Sequence, residues 1–268
     1  MLYRLKLGRK LDLKHPTRYT EKLQWLKLYD RNPFYSKLVD KAEVKKYVSE
    51  IIGNEYVIPT LGVWDKIEDI DWNGLPNRFI LKTTHGGGGT GVVICNDKNN
   101  LDKGKAIETL KRSMNSDIYS TLREWPYKNL PHRIIAEQLL DKDPYYDDVP
   151  DYKFYCFNGI PKVLLIATKR FTDHNFNYYD MKFEKMNITS KVGNNASIEF
   201  IRPTCFEEMK RIATKLSQGF PHIRVDLYYS NHRIYFGELT FFDSSGFDNL
   251  TSDSIDLEWG SWMKLPNK

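Results

Sequence analysis

The residues best suited to binding a charged group form a glycine loop that follows a lysine. Lys82 precedes the loop, and residues 86–91 contain five glycines. Glycine loses more conformational entropy on folding than other residues, so a fold that keeps five of them must use the freedom they give. Backbone N–H groups approach an anion closely in such a loop, and a polyphosphate is the anion most often held there. The loop therefore predicts a phosphate-binding site.

The order of the neighbouring elements excludes three familiar phosphate loops. Walker A and Rossmann loops open a helix, whereas Val92–Cys95 follows this loop as a strand pattern. Protein kinases use strand, loop and strand, but their lysine follows the loop, and neither His-Arg-Asp nor Asp-Phe-Gly occurs in this sequence. What remains is a lysine on the entering strand, Lys82, and a glycine flap that closes over nucleotide phosphates. The alternative is a flexible surface hairpin.

A second group of charged residues lies near the C-terminus, where Asp226 and Glu238 stand on successive strand patterns. If residues 231–233 form the turn, the two acids lie opposite each other, with Cβ atoms about 5 Å apart on one face. Two carboxylates at that distance repel unless a cation lies between them, and magnesium suits such a site. A two-residue turn would place them on opposite faces. The alternative is a pair of ordinary surface carboxylates matched by Arg224 or Arg233.

The elements that position these groups form an α+β pattern. Residues 1–52 indicate helices, because apolar residues recur at helical spacing and Gly53 ends the last segment. Strand patterns dominate after Phe79, and Asn158-Gly159 is a strong hairpin signal. The strand patterns cover residues 79–83, 92–95, 134–140, 151–157, 162–167, 224–229 and 234–240, with helices predicted over 101–115 and from Thr204. Helices thus bracket a mostly antiparallel β region.

Composition limits the class of protein. Of 268 residues, 41% are hydrophobic and 28% charged, which excludes wholesale disorder. Three cysteines, Cys95, Cys156 and Cys205, exclude a disulfide framework and a CxxC metal site. The longest apolar run, residues 163–167, is far too short for a transmembrane helix. We therefore expect a soluble, cytoplasmic globular protein.

The net charge of +5 has its densest basic cluster between Arg4 and Lys14. A nucleic-acid-binding protein normally concentrates its Lys and Arg in a stripe or tail, so no nucleic-acid partner is expected. The cluster alternates with leucines and does not resemble a signal peptide. It fits a solvated basic helix face. The alternative is weak association of this end with an anionic surface such as membrane lipid.

Several motifs together resemble the ATP-grasp enzymes. In the order typical of those enzymes, the chain contains Lys82 with its glycine flap, the segment 134–140, and the Asp226…Glu238 pair. Aromatic-rich segments and a leading helical segment look more specifically like the TupA-like ATP-grasp family. These segments are residues 21–30, 151–159 and 237–242. The resemblance covers the chain from about Pro16 to Gly246.

This resemblance implies an ATP-grasp fold, in which two α+β lobes grip ATP, with a helical N-terminal extension. Residues 1–52 are then the helical lead and residues 53–268 the ATP-grasp core. Within the core, about 79–133 form the glycine-flap lobe and about 134–268 the lobe for metal and substrate. The family is associated with teichuronopeptide and other bacterial surface polysaccharides. The implied partners are therefore ATP, a saccharide that contains uronic acid, and an amino acid or other amine.

The resemblance also implies roles for residues by their position. Glu137–Leu139 match the hinge that hydrogen-bonds adenine through backbone groups, with Glu137 near the exocyclic amine. The full set of expected ATP-binding residues is Lys41, Lys82, His85, Gly86, Gly87, Gly88, Gly89, Gly91, Glu137, Gln138, Leu139, Asp151 and Lys153. Asp226 and Glu238 match ligands of one or two magnesium ions. Thr240 stands where ATP-grasp enzymes often have asparagine, and its hydroxyl can also bind magnesium.

The candidates for catalysis are basic, and they are Lys82, Arg170 and Arg224. A planar guanidinium grips phosphate or carboxylate through two hydrogen bonds, which suits the two arginines to stabilising a transferring phosphoryl group. His85, beside the flap, is a candidate contact for the γ-phosphate, and the alternative for it is a structural role. For Lys41 and Lys153 the alternative is a solvated surface position.

The implied reaction is carboxylate–amine ligation, in which ATP activates a carboxylate as an acylphosphate and an amine then forms an amide. The carboxylate would belong to a uronic acid of a bacterial capsule, O-antigen or teichuronic polymer, or to a precursor. The alternative is an ATP-dependent phosphotransferase, or a glycosyltransferase-type enzyme, of the same pathway. For a glycosyltransferase, Asp69-Ile70-Asp71 has the spacing of an Asp-x-Asp metal motif. A non-catalytic nucleotide-binding module is a third hypothesis.

Overall fold

The computed structural model describes the whole chain except residues 1, 90, 170–173, 189–193, 196–198, 249, 251 and 268. The chain divides into two compact units. Unit 1 combines Met1–Asn32 with Lys142–Lys268, and unit 2 is Pro33–Asp141. The two units are defined by which parts of the chain pack together. The predicted segments, 1–52, about 79–133 and about 134–268, are defined by sequence motifs. The functional division into those segments stays a prediction.

Helices and strands are mixed along the described residues, as the sequence predicts. The α-helices are α1 (Leu2–Leu7), α2 (Tyr19–Tyr29), α3 (Phe34–Val39), α4 (Val44–Ile52), α5 (Lys103–Met114), α6 (Ile118–Leu122), α7 (Phe206–Leu216) and α8 (Asp253–Trp262). The strands are β1 (Thr60–Trp64), β2 (Phe79–Thr83), β3 (Val93–Cys95), β4 (Ile134–Gln138), β5 (Asp151–Phe157), β6 (Ile160–Thr168), β7 (Asn175–Tyr179), β8 (Asn194–Asn195), β9 (His222–Ser230) and β10 (Arg233–Thr240). The α+β class is confirmed. No helix within the described ranges is long and apolar enough to cross a membrane.

Unit 2 is built on an antiparallel sheet in the order β1-β4-β2-β3. Successive side chains of a strand point to opposite faces. Phe79 and Leu81 of β2 are therefore buried on one face, in a core that also contains Leu110 of α5. Lys82 lies on the other face, and Glu137 of β4 shares that face because Lys82 pairs with Ile135.

Unit 1 contains a larger sheet, in the order β10-β9-β5-β6-β7-β8. The central strand β5 is buried along its whole length. One face packs on α7, where the ring of Phe154 stacks on Phe206. Alternation then sends Lys153, Tyr155 and Phe157 to the opposite face. Charged and aromatic residues for a site therefore lie on the face that α7 does not cover.

The hairpin of β9 and β10 has a short turn. Two residues, Asn231 and His232, form the turn with φ of 49° and 61°, as a type I′ turn requires. Of the two turn lengths that the sequence left open, the structure therefore has the two-residue turn. A two-residue turn alone would leave Asp226 opposite Gly237, but a bulge between Phe236 and Glu238 shifts the register by one residue. Asp226 consequently pairs with Glu238, which confirms the predicted pairing by a different route.

The helix predicted from Thr204 begins differently. Its first residue is Phe206, and the N-cap residue Cys205 makes no side-chain hydrogen bond to the helix. The predicted start of this helix at Thr204 is therefore wrong by two residues. Glu207 forms ion pairs with Arg202 and Lys210 at 2.7 Å.

Candidate functional site

Two rows of side chains cross strands β5, β9 and β10 on the face opposite α7. In the first row, Lys153 pairs with Asp226, and Asp226 pairs with Glu238. In the second row, displaced from the first by two residues on each strand, Tyr155 pairs with Arg224, and Arg224 pairs with Thr240. Residues two apart on a strand share a face, so the two rows form one patch. The sheet register therefore brings together Lys153, Arg224, Asp226, Glu238 and Thr240.

Asp226 is almost fully buried, and two cations hold its carboxylate. Lys153 Nζ donates to Oδ2 at 2.5 Å, and Arg224 Nε and Nη2 donate to Oδ1 and Oδ2 at 2.7 Å each. The same lysine donates to Asp151 Oδ2 at 2.5 Å. Burial alone would raise the pKa of Asp226, but Arg224 and Lys153 outweigh it and hold that pKa well below its usual value. The carboxylate is therefore ionised at neutral pH.

Arg224 contacts three carboxylates at once. Besides the fork on Asp226, Nη1 donates to Asp243 Oδ1, and Nη2 donates to Glu238 Oε1 at 3.2 Å. Burial works against the charge of Arg224, yet Asp226 and Asp243 raise its pKa well above the usual value. Asp243 also accepts a hydrogen bond of 2.8 Å from Tyr155 Oη. The guanidinium is thus fixed on three sides.

Glu238 and Thr240 are the more accessible members of the patch. The Glu238 side chain is 33% exposed, and Thr240 Oγ1 lies 3.5 Å from Glu238 Oε1. Magnesium takes oxygen ligands and is usually held by one or two carboxylates plus substrate phosphates. These oxygens fit that chemistry. The described residues contain no group of three His, Cys, Asp or Glu arranged around a metal.

In unit 2, Lys82 and Glu137 form an ion pair on the face opposite the core. Lys82 Nζ lies 2.5 Å from Glu137 Oε2, and Lys45 Nζ of α4 lies 2.6 Å from Oε1. Burial would raise the pKa of Glu137, but the two lysines outweigh it and lower the pKa. Burial lowers the pKa of Lys45, although Glu137 opposes that shift. The result is a cationic group around one buried carboxylate.

The glycine loop follows Lys82 in the sequence and contacts Lys41. The backbone N–H of Lys41 donates to Thr84 O at 3.0 Å, and its Nζ donates to Gly86 O. Gly91 has φ of +75°, and a Cβ there would lie 2.2 Å from the side chain of Ser113. Only glycine fits that position without displacing α5. The predicted loop of Gly86–Gly89 and Gly91 is therefore anchored at both ends.

His85 is buried beside the loop and stacks on His132, with ring centroids 3.6 Å apart. Its Nε2 donates to Ser113 O at 3.1 Å, and His132 Nδ1 donates to Met114 O at 2.6 Å. The two rings thus satisfy carbonyls at the C-terminal end of α5. Burial, helped by His132, lowers the pKa of His85 to about 4. These contacts favour the structural alternative for His85, and its contact with a phosphate stays a prediction.

The remaining predicted residues occupy varied positions. Gln138 is exposed at the end of β4, and its backbone N–H donates to Pro59 O at 3.0 Å, while Leu139 follows the strand. Arg170 lies outside the described residues. Asp71 Oδ1 accepts from the backbone N–H of Gly74 at 3.0 Å, which is a turn contact. The site roles assigned to all of these residues stay predictions.

Sequence reasoning missed Lys45 and Asp243. Lys45 lies at the start of α4, four residues after Lys41. Helical spacing could therefore have indicated that the two lysines lie on the same side of the chain. Asp243 follows β10, where strand alternation no longer applies, and nothing in the sequence pattern marks it. Tyr155 was part of an aromatic-rich strand, and only the register shows that it lies beside Arg224.

Comparison with solved structures gives three ligases among the similar proteins. The D-alanine-D-alanine ligase of Helicobacter pylori has a TM-score of 0.50 and 15% identity, over 92% of this chain and 70% of that ligase. The Bacillus anthracis D-alanine-D-alanine ligase complexed with ATP has a TM-score of 0.43 and 15% identity, over 76% of this chain and 53% of its own. The ATP-grasp ligase PsnB complexed with minimal precursor has a TM-score of 0.44 and 13% identity, over 83% and 60%. At these identities the first similarity shows the fold alone.

Comparison with curated proteins gives no match to the sequence. The family described as TupA-like ATP-grasp matches residues 21–264, which is most of the chain. The predicted resemblance and the ATP-grasp α+β fold are thereby confirmed. The chain belongs to the TupA-like ATP-grasp family.

Proposed function

We propose that this chain is an ATP-dependent carboxylate–amine ligase that forms an amide through an acylphosphate. Membership of an ATP-grasp family supports an ATP-dependent ligase. The finer proposal is that an amino acid or other amine is joined to a uronic acid of a bacterial capsule, O-antigen or teichuronic polymer, or of a precursor. Such a reaction consumes ATP and would take place in the cytoplasm.

The observation on which the proposal rests is the patch around Arg224. Two acids that the family resemblance implies as metal ligands, Asp226 and Glu238, lie in one row and share this arginine. A buried, ionised Asp226 beside a half-buried Glu238 suits a site that meets the phosphates of a nucleotide. A purely structural ion pair would not require Glu238 and Thr240 to remain partly exposed.

The proposed chemistry has two steps. A carboxylate oxygen of the acid substrate attacks the γ-phosphorus of ATP, the bond to the β-phosphate oxygen breaks, and ADP leaves. The amine then attacks the acyl carbon of the acylphosphate, inorganic phosphate leaves, and the amine loses a proton as the amide forms. Positioning and charge neutralisation supply most of the catalysis in phosphoryl transfer.

Different residues of the chain would bind the phosphates and the magnesium ion. Lys82, Lys41 and the amides of the glycine loop would bind the phosphates of ATP. Glu238 and Thr240, with Asp226, would hold magnesium, which when bound adds positive charge at the phosphates. Arg224 keeps the two acids in place, because its donors already meet Asp226 and Glu238.

The test is to supply ATP, magnesium, uronic-acid saccharides and a panel of amines, and to look for ADP and a condensed product by mass spectrometry. The expected result is ADP formation that requires the acid, with an amide whose mass equals acid plus amine minus water. ADP formation with a phosphorylated product and no amide would favour the phosphotransferase. Release of a nucleotide from a nucleotide sugar, without ADP, would favour a glycosyltransferase.

A matched pair of variants locates the reaction on the patch. Glu238→Gln should lower turnover by at least about a hundredfold, in the range of losing one electrostatic contact to the transition state. Glu258→Gln changes an exposed glutamate of α8 in the same way and should leave turnover unchanged. Full turnover in the Glu238→Gln variant would remove the acidic hairpin from the mechanism.

A further inference from the structure

A tight turn follows β10 and has an unusual backbone. Ser244, Ser245 and Gly246 are consecutive residues with φ of 47°, 55° and 69°. Residues other than glycine rarely adopt this left-handed conformation, and they keep it only where the surroundings hold them. The turn therefore needs a support outside its own backbone.

Helix α2 supplies that support through two buried side chains. Gln24 Nε2 donates to Ser245 O at 2.9 Å and to Gly246 O at 3.1 Å. Lys27 Nζ donates to Ser245 O at 3.0 Å and to Ser245 Oγ at 2.9 Å. Gln24 and Lys27 are three residues apart, so they lie on the same face of the helix. The carbonyls of Ser245 and Gly246 are thus held in one orientation.

Asp243, which directly precedes the residues of this turn, contacts Arg224 of the site. It is only 7% exposed, and its two oxygens accept from Arg224 Nη1 and from Tyr155 Oη. Arg224 in turn reaches Asp226 and Glu238 with its other nitrogens. A guanidinium is a rigid plane, so fixing Nη1 also fixes the direction of Nε and Nη2.

We propose that Asp243 is a positioning residue that holds the plane of Arg224 against Asp226 and Glu238, and that Gln24 and Lys27 hold Asp243 in place. The proposal rests on the proposed function, since it concerns how the acids of that site are oriented. It gives α2, which the sequence presents only as part of a helical lead, a role in the site.

The direct test observes Arg224 itself. The Nε–Hε group of a buried, paired arginine gives a slowly exchanging signal in a ¹⁵N spectrum, and loss of that signal in Arg224→Lys assigns it. In Asp243→Asn, and to a smaller extent in Tyr155→Phe, we expect hydrogen exchange of this group to become at least tenfold faster. Asp180→Asn is the control, because Asp180 is also an aspartate of unit 1 but accepts from the backbone N–H groups of Lys182 and Glu184. An unchanged exchange rate in a folded Asp243→Asn protein would overturn the proposal.

The kinetic test separates positioning from simple loss of fold. In Asp243→Asn, kcat should fall at least tenfold while KM for ATP stays within about twofold, and Asp243→Glu should recover part of kcat. The double variant Gln24→Leu/Lys27→Met should reproduce the loss in kcat. An equal loss of kcat in Asp180→Asn would show that the loss does not depend on the contact with Arg224, and would contradict the proposal.

Two further outcomes keep the proposal testable. If Asp243→Asn does not fold, Tyr155→Phe removes only a hydroxyl, and its exchange rate at Arg224 then decides between the proposal and its rejection. If the wild-type protein turns over no ATP, the proposed function fails, while the exchange measurement still decides this inference.

Discussion

Asp226 lies opposite Glu238 because the chain gains one extra residue at Gly237. The two-residue turn of the hairpin sets a register in which these acids point to opposite faces, and the bulge at Gly237 corrects it. An ideal Cβ at Gly237 would lie 2.9 Å from the Tyr228 ring and 3.1 Å from Asp226 O. The bulge is therefore tied to the absence of a side chain at this position.

Replacing Gly237 by alanine should destabilise the protein and disturb the patch. The added methyl group meets a backbone oxygen that cannot rotate away, so the strands must shift. Overpacking of this kind typically costs about 1–3 kcal/mol. Urea denaturation measures the loss in stability, and ADP formation measures the loss of alignment between Asp226 and Glu238.

The control for this prediction is Gly104→Ala in helix α5. The nearest atom to a Cβ there is a side-chain oxygen of Asp102 at 3.3 Å, so no backbone is displaced. Alanine is also the better helix former, by about 0.5–1 kcal/mol. We expect stability to stay equal or rise slightly. If Gly237→Ala is as stable as Gly104→Ala, the bulge does not depend on glycine.

The sequence predicts much of this hairpin and misses the device that aligns it. Alternating apolar residues mark both strands, and the two acids suggest a shared face. The sequence left the turn length open, because Asn231 and His232 adopt positive φ at positions where glycine is the usual signal. The two-residue turn and the bulge shift the strand register by one residue in opposite directions. Their effects cancel, so Asp226 and Glu238 are paired as predicted although the local geometry differs. A glycine inside a strand often marks a bulge, so Gly237 was a usable signal that the alternation of side chains alone does not show.

Long-range contacts explain the rest of what sequence reasoning missed. The lysine before the glycine loop and the glutamate in β4 were both singled out, but their ion pair follows from the β2–β4 register. Pairing between strands more than fifty residues apart is not readable from local spacing. Asp243 is harder still to predict, because it lies in a turn that contacts α2 while its partner Arg224 lies on β9.

Lys45→Met should weaken unit 2 by uncovering part of a buried charge. Glu137 would keep Lys82 but lose the contact of 2.6 Å from Lys45, so its pKa should rise. A hydrogen bond to a charged group contributes about 1.5–3 kcal/mol, and we expect a loss of that size. Under the proposed function KM for ATP should also rise, because Lys82 would be drawn more strongly to Glu137.

Lys46→Met provides the matched control, since Lys46 is the next residue of α4 and is exposed. It should change the free energy of unfolding by less than about 0.5 kcal/mol. The double variant Lys45→Met/Glu137→Gln should recover part of the stability, because the uncovered charge is then gone. Equal stability of the Lys45→Met and Lys46→Met variants would contradict the prediction.

Acid should destabilise the protein through His222. This histidine accepts from Tyr19 Oη at 3.1 Å and donates to Cys156 O at 3.0 Å, and burial lowers its pKa to about 3. Below pH 6.5 the unfolded chain binds a proton that the folded chain refuses, so stability falls as the pH drops from about 6.5 towards 3. Between pH 7 and pH 5 the loss from this group should be about 2 kcal/mol. Urea denaturation at the two pH values measures it.

His222→Gln removes this proton, so the difference in stability between pH 7 and pH 5 should shrink by that amount. His15→Gln changes an exposed histidine and should leave the difference nearly as in the wild type. The pKa of His85 is also lowered, so His85 should add a loss of stability of the same sign in the wild type and in both variants. A wild-type stability that does not change between the two pH values would contradict the burial of a neutral histidine.

Lys153→Met should be among the most damaging single changes to unit 1. Its ammonium lies 2.5 Å from oxygens of both Asp151 and Asp226, so removing it leaves two buried carboxylates facing each other. Breaking a buried pair in this way typically costs about 3–5 kcal/mol. The pKa of Asp226 should rise, since Lys153 is one of the two cations that hold it down. Lys215→Met, an exposed lysine of α7, is the control and should change stability little.

Magnesium should partly compensate for the loss of Lys153, and thermal unfolding measures the effect. A divalent cation can take the place of the ammonium between two carboxylates, because oxygen ligands of this kind are those it prefers. Millimolar magnesium should therefore raise the midpoint of unfolding of Lys153→Met by more than that of the wild type or of Lys215→Met. Asp151→Asn/Lys153→Met should lose this extra gain, since one of the two carboxylates is then neutral. An equal response of all four proteins would mean that the ion does not bind between Asp151 and Asp226.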